Sequence, residues 1–333
     1  MTKKVLLVFD MPQDPPNNQL EYLPLLNKPD WQDERDIYKT LVEDSRYEVQ
    51  MCGLFDRIEP LLSMINTFKP HVVFPICESF SNNRIGAPHI VGLIELLGLR
   101  YTGARAKTLT LCRDKSLTKK VCNYHGIQTP NFDEFSKSPH KNQLSKFKFP
   151  VIVKPRDLEA SEGLTKRSVA KTPEACKAQI DKFLRQGIDV IVEEFIVGRE
   201  IYIGIIGERE PTILHPWELY FEKSAKPQTE FATYKVKWDA KYRKKWGIRT
   251  QAARNLNPTA KKSLANFAKK AATSLELSGY ARLDLRMTAE GSIYFLEANP
   301  NPAINKKDDF ASSAKKSGIG YSELLDKIIQ LAG

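Results

Sequence analysis

The sequence predicts an α/β protein that passes into an α+β region toward its C-terminal end, and three observations carry that expectation. Through the first hundred residues short β-rich runs alternate with longer helical patterns, which implies a parallel sheet covered on both faces. At 333 residues the chain suits two domains, or three small ones, at ~150 residues each. Near the end, residues 280–299 read as two alternating strands around a glycine-containing turn, an antiparallel hairpin.

In the first part the strands are residues 5–9, 47–51 and 71–75, and the helices are residues 34–44, 58–68 and 88–97, the last stopped by Gly98. Residues 12–30, rich in Pro, Asn and Gln, form a loop long enough to suggest function. Asp114 is placed to cap a helix that ends at Gly126. A connector at 136–148, a strand at 150–154, a helix at 173–184 and a strand at 190–194 follow. Strands at 200–206 and 213–221 lead into a basic, aromatic loop at 223–249, an amphipathic helix at 258–277, the hairpin and a last helix at 321–331.

Composition narrows the function classes. An apolar content of 41% with 27% charged residues is that of a globular chain, neither disordered nor fibrous. No apolar run approaches the ~20 residues of a membrane span, so no membrane partner is expected. The N-terminus begins like a signal peptide, but Asp10 interrupts it and no small-residue cleavage site follows. Five cysteines, odd in number and never in CxxC, read as reduced thiols of a cytoplasmic protein. Lys and Arg total 51 against 40 Asp and Glu, a net charge of +11 that suits nucleic acid, an anionic membrane or an anionic small ligand.

The hairpin is the most informative segment. With its turn centred between Glu290 and Gly291, Asp284 faces Glu297 and Arg282 faces Asn299, all four on one face. The opposite face, with Leu283, Leu285, Met287, Tyr294, Leu296 and Ala298, is the core side. Two carboxylates ~5 Å apart repel unless a cation lies between them or one takes a proton. Asp284, Glu297 and Asn299 are hard oxygen donors suited to Mg²⁺, with a solvated face and a cross-strand salt bridge as the alternative. Lys154 ends a buried strand before a small-residue loop containing Ser161, where a lysine can reach a phosphate. Glu193 and Glu194 close another strand, and Glu200 follows a turn; such a linker can bind adenine and ribose, or be charged strand ends. Seven basic residues interleaved with aromatics at 235–249 suit either single-stranded nucleic acid or a loop closing over polyphosphate. The histidines show no ligand spacing.

In this order these segments resemble the ATP-grasp superfamily, most closely D-alanine–D-alanine ligase-like carboxylate–amine ligases. The likeness runs over residues 70–300, through Gly92–Gly103, Arg113–Lys120, Gly126–Pro130, Phe149–Pro155, Val192–Glu200, Tyr234–Trp238 and Arg282–Asn299. It implies a three-domain ATP-grasp architecture: an N-terminal parallel-sheet domain (1–103), a central subdomain (104–196) and a C-terminal subdomain with the metal hairpin (197–333). ATP and two Mg²⁺ ions, with Mn²⁺ as a substitute, are the implied cofactors. Lys115 and Lys154 would meet nucleotide phosphates, with Ser161 on the adjoining loop. Glu193, Glu194 and Ile196 would form the adenine-side linker, Glu200 would meet the ribose and Lys237 the γ-phosphate. Asp284, Glu297 and Asn299 would hold metal, and Arg282 would stabilise the reacting carboxylate and the tetrahedral intermediate. The implied partners are a small-molecule carboxylate and an amine, with no nucleic acid; the oligomeric state stays open, a homodimer being common among the proteins the chain resembles.

The chain departs from the ligase pattern at the amino-acid site. Asp10–Pro15 and Ile76–Asn83 replace the Gly-rich and HGxxGE-type motifs, Ala160 stands where a serine is expected, and Trp238 where a tyrosine is. Pro300–Ala303 lacks the usual glycine, and Asp308-Asp309 replace a small serine-containing pair. The resemblance therefore implies an acylphosphate-forming ligase whose substrates are not the D-Ala pair, with a cationic amine suggested by the two acids. The alternatives are a nucleotide-binding protein without ligase activity, D-alanine–D-alanine ligase proper, and a nucleic-acid binder.

Overall fold

Three sheets organise the computed structural model, which describes residues 2–157 and 161–333. The first is parallel, with β1 (Lys3–Asp10) between β2 (Tyr47–Leu54) and β3 (Val72–Pro75). The apolar stretch of β1 and the whole of β3 are nearly continuous apolar runs because both faces are covered, whereas β2 carries an exposed Glu48 near its start. The stretch expected as a loop at 12–30 contains a short helix, α1 (Gln19–Tyr22), capped by the Asn18 side chain and anchored by the buried Tyr22. After it come α2 (Gln32–Val42), α3 (Glu59–Phe68) and α4 (Ala87–Leu96). Leu6, Val8 and Val73 pack against α3 and α4. Val5, Leu7 and Phe9 share the opposite core with α2 and with residues 304–332 from the far end of the chain.

A helical elbow, α5 (Ala106–Arg113) and α6 (Lys115–Tyr124), leads out of this layer. Asp114 caps α6 as expected, accepting from the Ser116 and Leu117 amides at 2.9 Å each. The second sheet is antiparallel and runs β4-β7-β5-β6, with β4 (Phe132–Phe135), β5 (Val151–Pro155), β6 (Val169–Ala170) and β7 (Val190–Glu194). The short α7 (Lys141–Leu144) and α8 (Pro173–Leu184) cover one of its faces. Strand alternation then sends Ile152, Lys154 and Glu193 to the other face.

The third sheet runs β11-β10-β8-β12-β13, with β9 on the edge of β8. Its strands are β8 (Arg199–Ile206), β9 (Thr212–Ile213), β10 (Trp217–Phe221), β11 (Ile248–Ala252), β12 (Tyr280–Met287) and β13 (Ile293–Pro300). The single strand expected at 213–221 is thus two, divided before Pro216, which has no amide to give a ladder. The stretch expected as a loop at 223–249 holds α9 (Tyr234–Trp238), α10 (Ala240–Trp246) and the start of β11. Thr233 and Asp239 cap the two helices, and Arg243 ties them by donating to the Val236 carbonyl at 2.7 Å. Helix α11 (Pro258–Ser274) covers the core face together with α5 and α6. Helices α12 (Asp309–Lys316) and α13 (Tyr321–Gln330) return to the first sheet.

The hairpin register is the expected one at its working end: Arg282 opposes Asn299, and Asp284 opposes Glu297. Toward the turn the pairing shifts by one residue, with Leu285 opposite Phe295. That bulge inverts the alternation on β13. Phe295 and Ile293 therefore fill the core, whereas Tyr294 and Leu296, expected there, are only half-buried.

The first and third layers meet at two glycines. Gly279 has φ +67°, and a Cβ there would lie 2.5 Å from the Gly103 Cα, a backbone atom that cannot give way. Gly279→Ala should cost about 3 kcal/mol, combining left-handed strain with the clash. Urea denaturation measures it, and an unchanged midpoint would contradict the reading.

Candidate active site between the second and third sheets

The uncovered face of the second sheet and the hairpin face of the third border a partly open cleft. Ten of the expected residues line it: Lys115, Lys154, Ser161, Glu193, Glu194, Ile196, Glu200, Lys237, Asp284 and Glu297. Arg282 and Asn299 lie one strand pair further along the hairpin, outside that lining.

Each lysine arrives on a separate element. Lys115 opens α6, Lys154 ends β5 and Lys237 sits in the last turn of α9. Of the seven basic residues at 235–249, Lys237 alone lines the cleft. Burial would raise the Glu297 carboxyl, but Lys115, Lys237, Lys154 and Arg282 outweigh it and hold Glu297 below the ordinary carboxylate range. Burial pushes Asp284 up to about 6 against the pull of Arg282, with Glu297 adding to the rise. Arg282 grips Asp284 through both oxygens, Nε to Oδ1 at 2.7 Å and Nη2 to Oδ2 at 3.0 Å, a fork that leaves each oxygen further lone pairs.

The other end of the cleft is more apolar. Ile152, Phe195, Phe231 and Leu296 make apolar walls, Leu296 being turned inward by the bulge. Glu200 is clamped: Tyr202 donates to Oε1 at 2.9 Å, and Arg286 lies 3.2 Å from Oε2. Arg286 also donates to the Gly198 and Glu230 carbonyls at 2.6 Å each, and so ties the linker to the segment carrying Phe231. Glu194 accepts from the Lys148 amide at 3.0 Å. Glu193 borders the same cleft. Successive strand residues face opposite ways, and its carboxylate, 1% exposed, is held between Lys119 and Lys154. Ser161 borders the cleft at φ +62°; Ala160, the expected departure beside it, lies outside the described residues.

The residues fit a hard divalent cation. Asp284, buried, and Glu297, half-buried, are opposed in charge-rich surroundings, and the Asn299 amide nitrogen on the same hairpin is buried without a partner. Among the described residues no group of three His, Cys, Asp or Glu converges, so phosphate and water oxygens would complete the shell, as Mg²⁺ prefers.

Residues 115–330 match the family described as "D-ala D-ala ligase C-terminus". The chain belongs to the D-alanine–D-alanine ligase family. A D-alanine–D-alanine ligase of Thermoanaerobacter sp. (strain X514) is 31% identical over 278 residues, covering 80% of this chain and 72% of that one. Among solved structures, the ATP-complexed D-alanine–D-alanine ligase of Bacillus anthracis superposes with a TM-score of 0.75 at 20% identity, covering 99% and 97% of the two chains. The VanG D-Ala:D-Ser ligase of Enterococcus faecalis gives 0.73 at 19% identity, covering 99% of each. These neighbours share the ATP-grasp fold, and the family is one of ATP-dependent C–N ligases.

In this member of the ligase family the region beyond Arg282 is acidic. Asp10, at the end of β1, accepts from the Glu78 amide at 2.8 Å and the Ser79 hydroxyl at 2.6 Å. Asp33 accepts from the Ile304 and Asn305 amides at 2.7 Å each. Asp308 caps α12 through the Asp309 amide at 2.9 Å, so it has a structural task beside any contact with substrate. Burial, with Asp309 and Asp33 nearby, pushes Asp308 up to about 6. Burial, with Asp33, Asp10 and Glu78 around it, pushes Glu34 from 4.5 up to about 7. The folded chain therefore holds this proton more tightly than the unfolded one. The resulting stability is full below pH 4.5 and is lost as pH rises through about 7, a span worth on the order of 3 kcal/mol. Glu34→Gln should match the native chain at pH 4 and exceed its stability at pH 8. Parallel pH profiles of the two proteins would rule this out.

Lys119, Arg286 and Leu296 were not anticipated. Lys119 follows Lys115 by four residues on one helix, and Arg286 continues the alternation of Arg282 and Asp284, so both had a periodicity signal. Leu296 had none, since its direction depends on the bulge.

No helix among the described residues is long and apolar enough to cross a membrane, and the five cysteines are free thiols.

Proposed function

We propose that the chain is an ATP-dependent carboxylate–amine ligase that forms an amide bond through an acylphosphate, with substrates other than two D-alanines. The observation that carries this reading is the convergence of Lys115, Lys154 and Lys237 on Glu297, with the Arg282–Asp284 fork beside it. A carboxylate oxygen attacks the γ-phosphorus and ADP leaves. The amine then attacks the acyl carbon, phosphate departs, and the amine gives up a proton. Phosphoryl transfer of this kind rests chiefly on positioning and charge neutralisation. Lys115 and Lys154 orient the phosphates, Lys237 meets the transferring group, and Arg282 offsets negative charge on the reacting carboxylate. Asp284, Glu297 and Asn299 would hold Mg²⁺, two ions in this reading, which would supply further neutralisation of the phosphate oxygens.

The acidic region supports the substrate reading. Asp309 acts electrostatically on Arg282, and the mutual repulsion around Glu34 and Asp308 is relieved by a cation. We read the acceptor as an amine with additional positive charge. The test is mass spectrometry of condensation products from pooled amino acids, diamines and small carboxylates with Mg-ATP, alongside ADP release. Products containing a basic amine support the reading. Release of ADP with D-alanine alone would return the chain to D-alanine–D-alanine ligation, and nucleotide binding with no product from any pool would favour a non-catalytic role.

A further inference from the structure

A charge that neither lines the cleft nor follows from the ligase resemblance lies directly beneath it. Lys119 is 0% exposed on α6, and its ammonium lies 3.2 Å from Glu193 Oε1. It also donates to the Leu296 carbonyl, at the bulge next to Glu297. The second oxygen of Glu193 accepts from Lys154 at 2.9 Å, and the Lys154 side chain keeps 13% of its surface open on the cleft side. One buried carboxylate is therefore shared by two ammonium groups, one sealed inside and one at the surface of the site. Paired with Glu193 alone, Lys154 would belong to a neutral couple, its ammonium drawn inward and its field toward the cleft cancelled. With Lys119 as the second partner, the group of three keeps a net positive charge, and its outermost member is the one that faces the ligand.

We propose that Lys119 is a positioning residue for nucleotide binding: it offsets Glu193, so that Lys154 stays available to a phosphate. The inference rests on reading Lys154 as a phosphate-binding residue, and the experiment separates the two. Metal-free ADP binding is measured by calorimetry on the full chain, with thermal unfolding recorded in parallel. Lys154→Met should weaken ADP about tenfold, the loss of one charge-assisted contact; native-like affinity would remove the underlying reading. Lys119→Met should weaken ADP by a comparable factor of about ten, because Glu193 then holds Lys154 alone. Its KM for ATP should rise with kcat at saturating ATP nearly unchanged. In K119M/E193Q the carboxylate that Lys119 offset is gone, and ADP affinity should return to within about threefold of the native value. Native-like ADP binding by Lys119→Met, or a double variant as weak as the single one, would overturn the proposal, since a packing role lowers stability without that rescue. Should Lys119→Met fail to fold, the double variant decides alone, because it leaves neither partner of the deleted pair uncompensated. ADP affinity near native supports the proposal, and a loss equal to that of Lys154→Met overturns it.

Discussion

Glu297→Gln should abolish ATP turnover while leaving metal-free nucleotide binding intact. The substitution removes a hard anionic oxygen from the hairpin and replaces it with an amide of the same shape. Transition-state charge stabilisation of this kind is worth about 10²–10³ in rate for a single lost donor, and a direct metal ligand should cost at least ~10³. The sign of the binding effect is less obvious and more diagnostic. Glu297 is held ionised by Lys115, Lys237, Lys154 and Arg282, so its loss leaves those cations uncompensated. A polyanion should then bind as well as before, or more tightly, without metal. ADP calorimetry in chelator and ADP release with Mg-ATP read the two effects separately. A variant that loses both equally would point to general damage rather than to a metal ligand, and one that keeps turnover would remove Glu297 from the mechanism.

The contrast with the rest of the site shows what local sequence can reveal. Strand alternation and a symmetric turn were enough to put Asp284 opposite Glu297 and Arg282 opposite Asn299, because those pairings depend only on period two and register. Asp114 was readable as a cap because capping is a contact between near neighbours in the chain. The one-residue shift nearer the turn was not readable: a bulge depends on packing across the fold, and this one put Phe295 rather than Leu296 in the core. The ion pairs of Glu193 were not readable for a related reason. Two adjacent glutamates look equivalent in sequence, yet alternation sends one inward, and only the arrival of Lys119 from α6 and Lys154 from β5 makes that tolerable. The short helices at 234–246 were hidden by a composition that suits a loop, although Thr233 and Asp239 were present as caps. The shared core of the first sheet with α12 and α13 joins residues some three hundred apart, a distance over which pattern says nothing.

Arg282→Met should damage both stability and chemistry, and Arg282→Lys should separate them. Arg282 is the bidentate partner of Asp284, which is 4% exposed, and its guanidinium lies 4.8 Å over the Tyr202 ring. Deleting it strands a buried carboxylate beside a second one, and removing one member of a buried pair costs about 3–5 kcal/mol. Asp284 would respond by taking up a proton, so the variant should gain more stability on acidification than the native chain does. Lysine restores the charge but not the planar fork, and it cannot hold both oxygens of Asp284 while facing the reacting carboxylate. Most of the stability should return, with kcat still lowered by about 10²-fold or more. ADP affinity should change by far less than kcat, because Arg282 lies outside the lining of the cleft. Denaturation midpoints at pH 5 and pH 8 report the first effect, and steady-state ADP release reports the second. Native kcat in Arg282→Lys would reduce Arg282 to a counter-ion for Asp284, and a kcat loss that follows the fraction unfolded in Arg282→Met would do the same.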